Sequence, residues 1–125
     1  MSTLLSSNNR LRSKKTIDLL FSKGRYLKVS GLSLVYIRQK NKNAGGLRIG
    51  FSVGKKPQAL AVDRNKTKRL MREAFRFCAK DFLVIKKTYY NLMFVCVEKN
   101  PPDFDMLLDK IKSLLLSFNK SVEND

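Results

Sequence analysis

Tyr90-Asn-Leu-Met-Phe-Val-Cys-Val97 is a nearly continuous apolar run broken only by Asn91. It shows no polar alternation that would mark a wet face. A strand of this kind is buried on both faces, which points to a central position or a parallel neighbour. Asn100-Pro101-Pro102 ends it, since proline brings no ladder N–H. Asp103 then caps a last helix running to about residue 119. Phe104, Leu107, Leu108, Ile111, Leu114, Leu115 and Phe118 keep helical spacing along it.

Upstream, beyond a loop around Lys86-Lys87-Thr88, lies Ala61-Val-Asp-Arg-Asn-Lys-Thr-Lys-Arg-Leu-Met-Arg-Glu-Ala-Phe-Arg76. Wound as a helix, Arg64, Asn65, Lys68, Arg69, Arg72, Arg76 and Lys80 share one half of the circumference. Leu70, Met71, Ala74, Phe77 and Cys78 form an apolar half that can sit on a core. A solvated helix usually mixes signs at i, i+4, yet like charges recur at 64, 68, 72 and 76. Such repulsion is better explained by an anionic partner than by solvation.

Before this helix, Leu47, Ile49, Phe51 and Val53 alternate with Arg48, Gly50 and Ser52, the mark of a strand with two unlike faces. Residues 32–38 form another strand, and Lys40–Gly46 reads as the turn joining the two in an antiparallel hairpin. The stretch 25–31 suits a short edge strand. Ser13 caps a first helix over about 14–23, with Ile17, Leu20 and Phe21 as its apolar stripe and Gly24 a left-handed stop. Residues 1–9 and 120–125 read as flexible tails on a domain at 10–119. The order of elements is that of an α+β layer of helices on one small sheet.

The formal net charge is +16 over 125 residues. Residues 1–76 hold 19 basic and 3 acidic side chains, and residues 77–125 hold 7 of each. Charge concentrated in this way is the footprint of a nucleic-acid binder rather than a solubility coat. No apolar run reaches membrane-span length, and the start lacks the pattern of a signal peptide. Cys78 and Cys96 form no CxxC pair and read as buried free thiols of a reducing cytosol. With no histidine and scattered acids, a metal site or protein-borne catalytic centre is not expected.

The segment Ala61-Val-x-Arg64-Asn65-x-x-Lys68-Arg69-x-x-Arg72-Glu73 resembles the signature of the bacterial ribonuclease P protein family. So do Arg48-Ile-Gly-Phe-Ser-Val53 with Lys55-Lys56, Arg10-Leu11-Arg12, and Leu20-Phe21-x-x-Gly24. Gly54 and Leu60 depart from the family pattern in the loop before the helix. The resemblance implies an αβββαβα sandwich similar to the second domain of a small-subunit ribosomal protein. It also implies a parallel pair at 47–53 and 91–97 joined by a left-handed crossover, against the usual hand. The implied function is assistance to a catalytic RNA whose bound Mg²⁺ removes the 5′ leader of precursor tRNA in the cytoplasm, with no DNA or membrane partner.

By the same resemblance, Arg64, Asn65, Lys68, Arg69 and Arg72 dock on the catalytic RNA. Phe21, Tyr36, Ser52, Lys55 and Lys56 receive the 5′ leader on an open sheet face. Phe21 suits core packing as well as base stacking, and the hydroxyl of Tyr36 suits a wet face. The rival readings are a structural RNA binder of ribosomal type and a DNA-binding helix-turn-helix. The motif spacing weighs against the first. The second needs a helix just before residue 61, where the strand at 47–53 leaves no room.

Overall fold

The computed structural model describes residues 11, 13–38, 47–56, 58–82 and 90–122. The expected turn at 40–46, the loop around Lys86, and Arg10 and Arg12 lie outside them. The elements are α1 (Lys14–Lys23), β1 (Arg25–Val29), β2 (Leu32–Arg38), β3 (Leu47–Val53), α2 (Ala61–Phe82), β4 (Tyr90–Cys96) and α3 (Phe104–Val122). The order is αβββαβα. The helix α3 runs on to Val122, past its expected end near residue 119.

The sheet order is β1-β2-β4-β3. The run at 90–96 is the interior strand its composition implied, antiparallel to β2 on one side and parallel to β3 on the other. This corrects the hairpin expected between 32–38 and 47–53. Those two strands are not neighbours, because β4 lies between them. The real hairpin is β1–β2, turned at Ser30-Gly31, where Gly31 has φ 77°. Only glycine enters that left-handed region at no steric cost.

Helices cover both faces of the sheet. On one, Leu34, Tyr36, Ile49, Leu92 and Phe94 pack against Met71 and Phe75 of α2 and Ile111, Leu115 and Phe118 of α3. Phe94 stacks on Phe51 at 5.8 Å between ring centroids and meets Phe75 at 5.7 Å. On the other, Leu20 of α1 and Leu11 cover Val35 and Met93, and the Leu11 N–H donates to the Ile49 carbonyl at 3.0 Å. Cys78 and Cys96 are buried free thiols, and burial pushes both pKa values up.

Ser13 caps α1 as its position implied, accepting from the Thr16 N–H at 3.3 Å. Gly24 stops α1 for another reason than expected: its φ is −72°, not left-handed. A Cβ there would lie 2.3 Å from the Leu20 carbonyl and 3.0 Å from the Tyr36 carbonyl. Close approach of two backbones, not conformation, selects glycine. Gly24→Ala is therefore expected to cost about 1–3 kcal/mol as an overpacking change, read as a lower Tm. An unchanged Tm would show that α1 can slide off β2 freely.

The buried arc of α2 comprises Thr67, Met71, Ala74, Phe75, Cys78 and Ala79. It is turned toward Phe75, which meets both Phe51 and Phe94, and away from Phe77, which is 67% exposed. The apolar half expected to include Phe77 is corrected accordingly. The aromatic cluster on the sheet, not the helix's own periodicity, sets the rotation.

Candidate RNA-binding surfaces

The loop from Gly54 to Leu60 fixes where α2 begins. Gln58, only 2% exposed, donates from Nε2 to the Glu98 carbonyl at 3.0 Å. Its Oε1 accepts from the Thr67 hydroxyl at 2.9 Å, with the Asp63 carbonyl also 2.9 Å from that hydroxyl. The Gly54 N–H donates to the Cys96 carbonyl, and the Gln58 N–H to the Gly54 carbonyl, each at 3.2 Å. The first turn of α2 is thus tied to the ends of β3 and β4. Sequence reasoning assigned no role to Gln58 or Thr67, since a lone glutamine and threonine carry no local signal of this pairing.

Arg64 belongs partly to this network. Its Nη1 donates to the carbonyls of Gln58 and Ala59 at 2.9 and 2.8 Å. Asn65 and Arg69 are exposed, and Lys68 and Arg72 are half-buried along the adjoining flank. The Arg72 guanidinium lies 5.9 Å from the Phe51 ring centroid, which carries the basic flank toward the β3 edge. Farther along, Arg76 pairs with Glu73 at 3.4 Å, an exposed contact of small worth. Lys68 and Arg69 have no acidic partner among the described residues. The five α2 residues named from the sequence therefore form one continuous surface, with Arg64 set slightly apart by its structural bonds. Leu60 and Val62 are exposed beside it, so the departure at Leu60 faces solvent.

The second surface is the sheet face under α1. Ser52 is half-buried there, opposite Val95, and Lys55 and Lys56 are exposed in the turn after β3. Phe21 stands at the far end, 36% exposed in the last turn of α1. Tyr36 is not on this face and needs correction. It is 4% exposed and packs edge-on against Phe118 at 5.1 Å, on the side of α2 and α3. The α1-facing neighbour on β2 is Val35.

The exposed tyrosine on the α1 face is Tyr26, paired in register with Val35. It is 47% exposed, its hydroxyl donates to the Phe21 carbonyl at 2.9 Å, and the Lys28 Nζ lies 6.0 Å from its ring centroid. The signal that could have found it is strand parity: Tyr26 and Lys28 alternate with Leu27 and Val29. On the same face, Arg48 Nε and Asn91 Oδ1 are neighbours in register, buried with no hydrogen-bond partner among the described residues. No three His, Cys, Asp or Glu side chains among the described residues converge where they could hold a metal. No described helix is long and apolar enough to cross a membrane.

Residues 5–119 match the family model described as Ribonuclease P. The chain is 34% identical over 103 residues to the ribonuclease P protein component of Porphyromonas gingivalis, covering 80% of this chain and 75% of that one. It is 33% identical over 115 residues to the same component of a Pseudanabaena species, covering 90% and 92%. The fold is similar to that of the RNase P protein from Thermotoga maritima, with TM-score 0.69, 25% identity, and 86% and 96% of the two chains covered. The Staphylococcus aureus RNase P protein shares the fold at TM-score 0.68 and 21% identity, over 86% of this chain and 92% of that one. A basic α2 flank on an αβββαβα sandwich, matched over nearly the whole chain, makes this protein a member of the ribonuclease P protein family.

Proposed function

We propose that this chain binds both the catalytic RNA and the 5′ leader of precursor tRNA, and so assists Mg²⁺-dependent endonucleolytic removal of that leader. Family membership implies a ribonuclease subunit acting in tRNA 5′ processing with an RNA subunit as partner. The observation that carries the finer reading is the α2 flank of Lys68, Arg69 and Arg72 beside Asn65, whose positive charge has no carboxylate partner among the described residues. Such a row contacts phosphates, which fixes position rather than sequence. It also lowers the repulsion between RNA strands that must approach each other where Mg²⁺ binds.

Mg²⁺ supplies the activated water and the charge stabilisation for phosphodiester cleavage. The described carboxylates of this chain do not fit such an ion: Glu73 and Glu98 are paired with Arg76 and Lys110, and no three acidic groups among the described residues converge. The catalytic centre is therefore assigned to the RNA. On the α1 face, Phe21 and Tyr26 offer ring surface to unpaired bases, each stack worth on the order of 1–3 kcal/mol. Ser52, Lys55 and Lys56 supply polar and cationic contacts to the leader backbone at the other end. The work is done in the cytoplasm.

The test uses precursor tRNAs with long and one-nucleotide leaders. Purified protein alone should not cleave either. Added to a bacterial catalytic RNA at low Mg²⁺, it should restore 5′ maturation, with the larger benefit for the long leader. Tyr26→Ala should reduce that difference, whereas Tyr36→Ala should lower Tm through lost core packing. Cleavage by RNA-free protein, or a benefit independent of leader length, would overturn the reading.

A further inference from the structure

Lys23, Arg25 and Arg38 line a cavity of about 300 Å³ together with Tyr36, Ile37 and Tyr90. It opens at the end of the sheet where α1 stops, β1 and β4 begin and β2 ends. Lys55, Lys56 and the first turn of α2 stand at the other end, roughly 20 Å away along a seven-residue strand. Arg25 is opposite Tyr36, and Arg38 is opposite Tyr90. Both arginines thus lie on the sheet face of α2 and α3, not on the face under α1. They are diagonal neighbours across β1 and β2, with Cα atoms about 7–8 Å apart.

The walls of this cavity are held firmly. Phe118 meets Tyr36 and Tyr90 edge-on at 5.1 and 5.4 Å, which fixes both phenol rings. Gly24 holds Lys23 and Arg25 against the end of β2, as its close approach to the Tyr36 carbonyl requires. Among the described residues, no carboxylate lines the space. The ion pairs found among the described residues, Glu73–Arg76 and Glu98–Lys110, lie elsewhere. Like charges gathered on adjacent strands are destabilising unless an anion joins them. Two guanidinium forks and an ammonium suit a phosphate, and the volume admits one with its flanking sugar.

The geometry points to a third RNA contact, in which this cavity takes a backbone phosphate; the inference rests on the RNA-binding reading above. The α2 flank does not reach it, and the α1 face meets it only at Lys23 and Ile37, while both arginines lie on the opposite face of the sheet. The phosphate belongs to the catalytic RNA or to the precursor tRNA, and three measurements on the full-length protein separate these two from each other and from a free ion. First, Arg25→Gln with Arg38→Gln should bind one of the two RNAs at least about tenfold more weakly. The salt slope of that binding should become shallower by about 0.7–0.9 for the phosphate lost.

Second, Lys23→Cys carrying tethered iron-EDTA should cut one discrete tract of the same RNA, which names the source. The native thiols compete little for the label, because Cys78 and Cys96 are buried and protonated. Third, inorganic phosphate should raise the Tm of wild type more than that of the double variant. That result with unchanged affinity for both RNAs would assign the cavity to the free ion and overturn the proposal. Equal RNA affinities and salt slopes for wild type and double variant would likewise overturn it. The α2 reading would still stand in that case, because Arg69→Ala should weaken binding in the same assay.

Discussion

Binding to a bacterial catalytic RNA is expected to fall by about 10³–10⁵ as monovalent salt rises from about 50 to about 200 mM, if about 6–10 phosphates are contacted. The basis is the concentration of charge: 19 basic against 3 acidic side chains in residues 1–76. The fold keeps much of this charge on the surface. Lys55, Lys56, Lys66 and Arg69 are exposed, and Lys68 and Arg72 are half-buried beside them. Each phosphate neutralised releases condensed counterions, and dissolved salt opposes that release. A filter-binding titration with a flat response would mean that hydrogen bonding or stacking, not charge, holds the complex.

Phe75→Ala is expected to destabilise the fold by about 3–5 kcal/mol, which is a large share of the ~5–15 kcal/mol of a typical domain. Phe75 is fully buried between Phe51 and Phe94, and its loss opens a cavity at the junction of α2 and the sheet. Arg69→Ala on the opposite side should leave urea unfolding nearly unchanged and weaken RNA binding. Arg64→Ala should do both. It removes two hydrogen bonds to the carbonyls of Gln58 and Ala59, worth about 1–3 kcal/mol in all, and also a cation of the basic α2 flank. Leu70 is only half-buried, so its truncation should cost less than that of Phe75. Equal unfolding midpoints for the Phe75, Arg64 and Arg69 variants would mean that the two sides of α2 are assigned wrongly.

The helices, the interior strand and the basic flank were legible because each leaves a local signature. Ser13 caps at a fixed offset, Ile111, Leu115 and Phe118 repeat at helical spacing, and 90–96 carries no wet face. Pairing was not legible from strand patterns, since a gap of eight residues between 38 and 47 looks like a turn whatever lies between the strands in space. The family resemblance supplied the parallel pair that pattern alone missed. Tyr36 was misplaced because Leu34, Val35 and Tyr36 are all buried, and a strand covered on both faces gives no alternation from which to tell its sides. Arg64 shares the polar half of the helical wheel, but a wheel cannot show a long side chain reaching back to the loop before it. Phe77, expected in the apolar half, faces solvent because the aromatics that Phe75 meets, not helix periodicity, choose the rotation.

The insertion of β4 between β2 and β3 has a consequence for the order in which the protein can become itself. A nascent chain that has emerged only through Phe82 holds the β1–β2 hairpin, a solitary β3 and α2, with no sheet to join them. Every link between the two halves of the sheet waits for residues 90–96, and such long-range pairing slows folding. Until then, the apolar side of α2 and both edges of the unfinished sheet are open to wrong partners. Sheet and basic helix are thus completed together late in synthesis, so an interrupted chain carries most of the positive charge without the fold that arranges it.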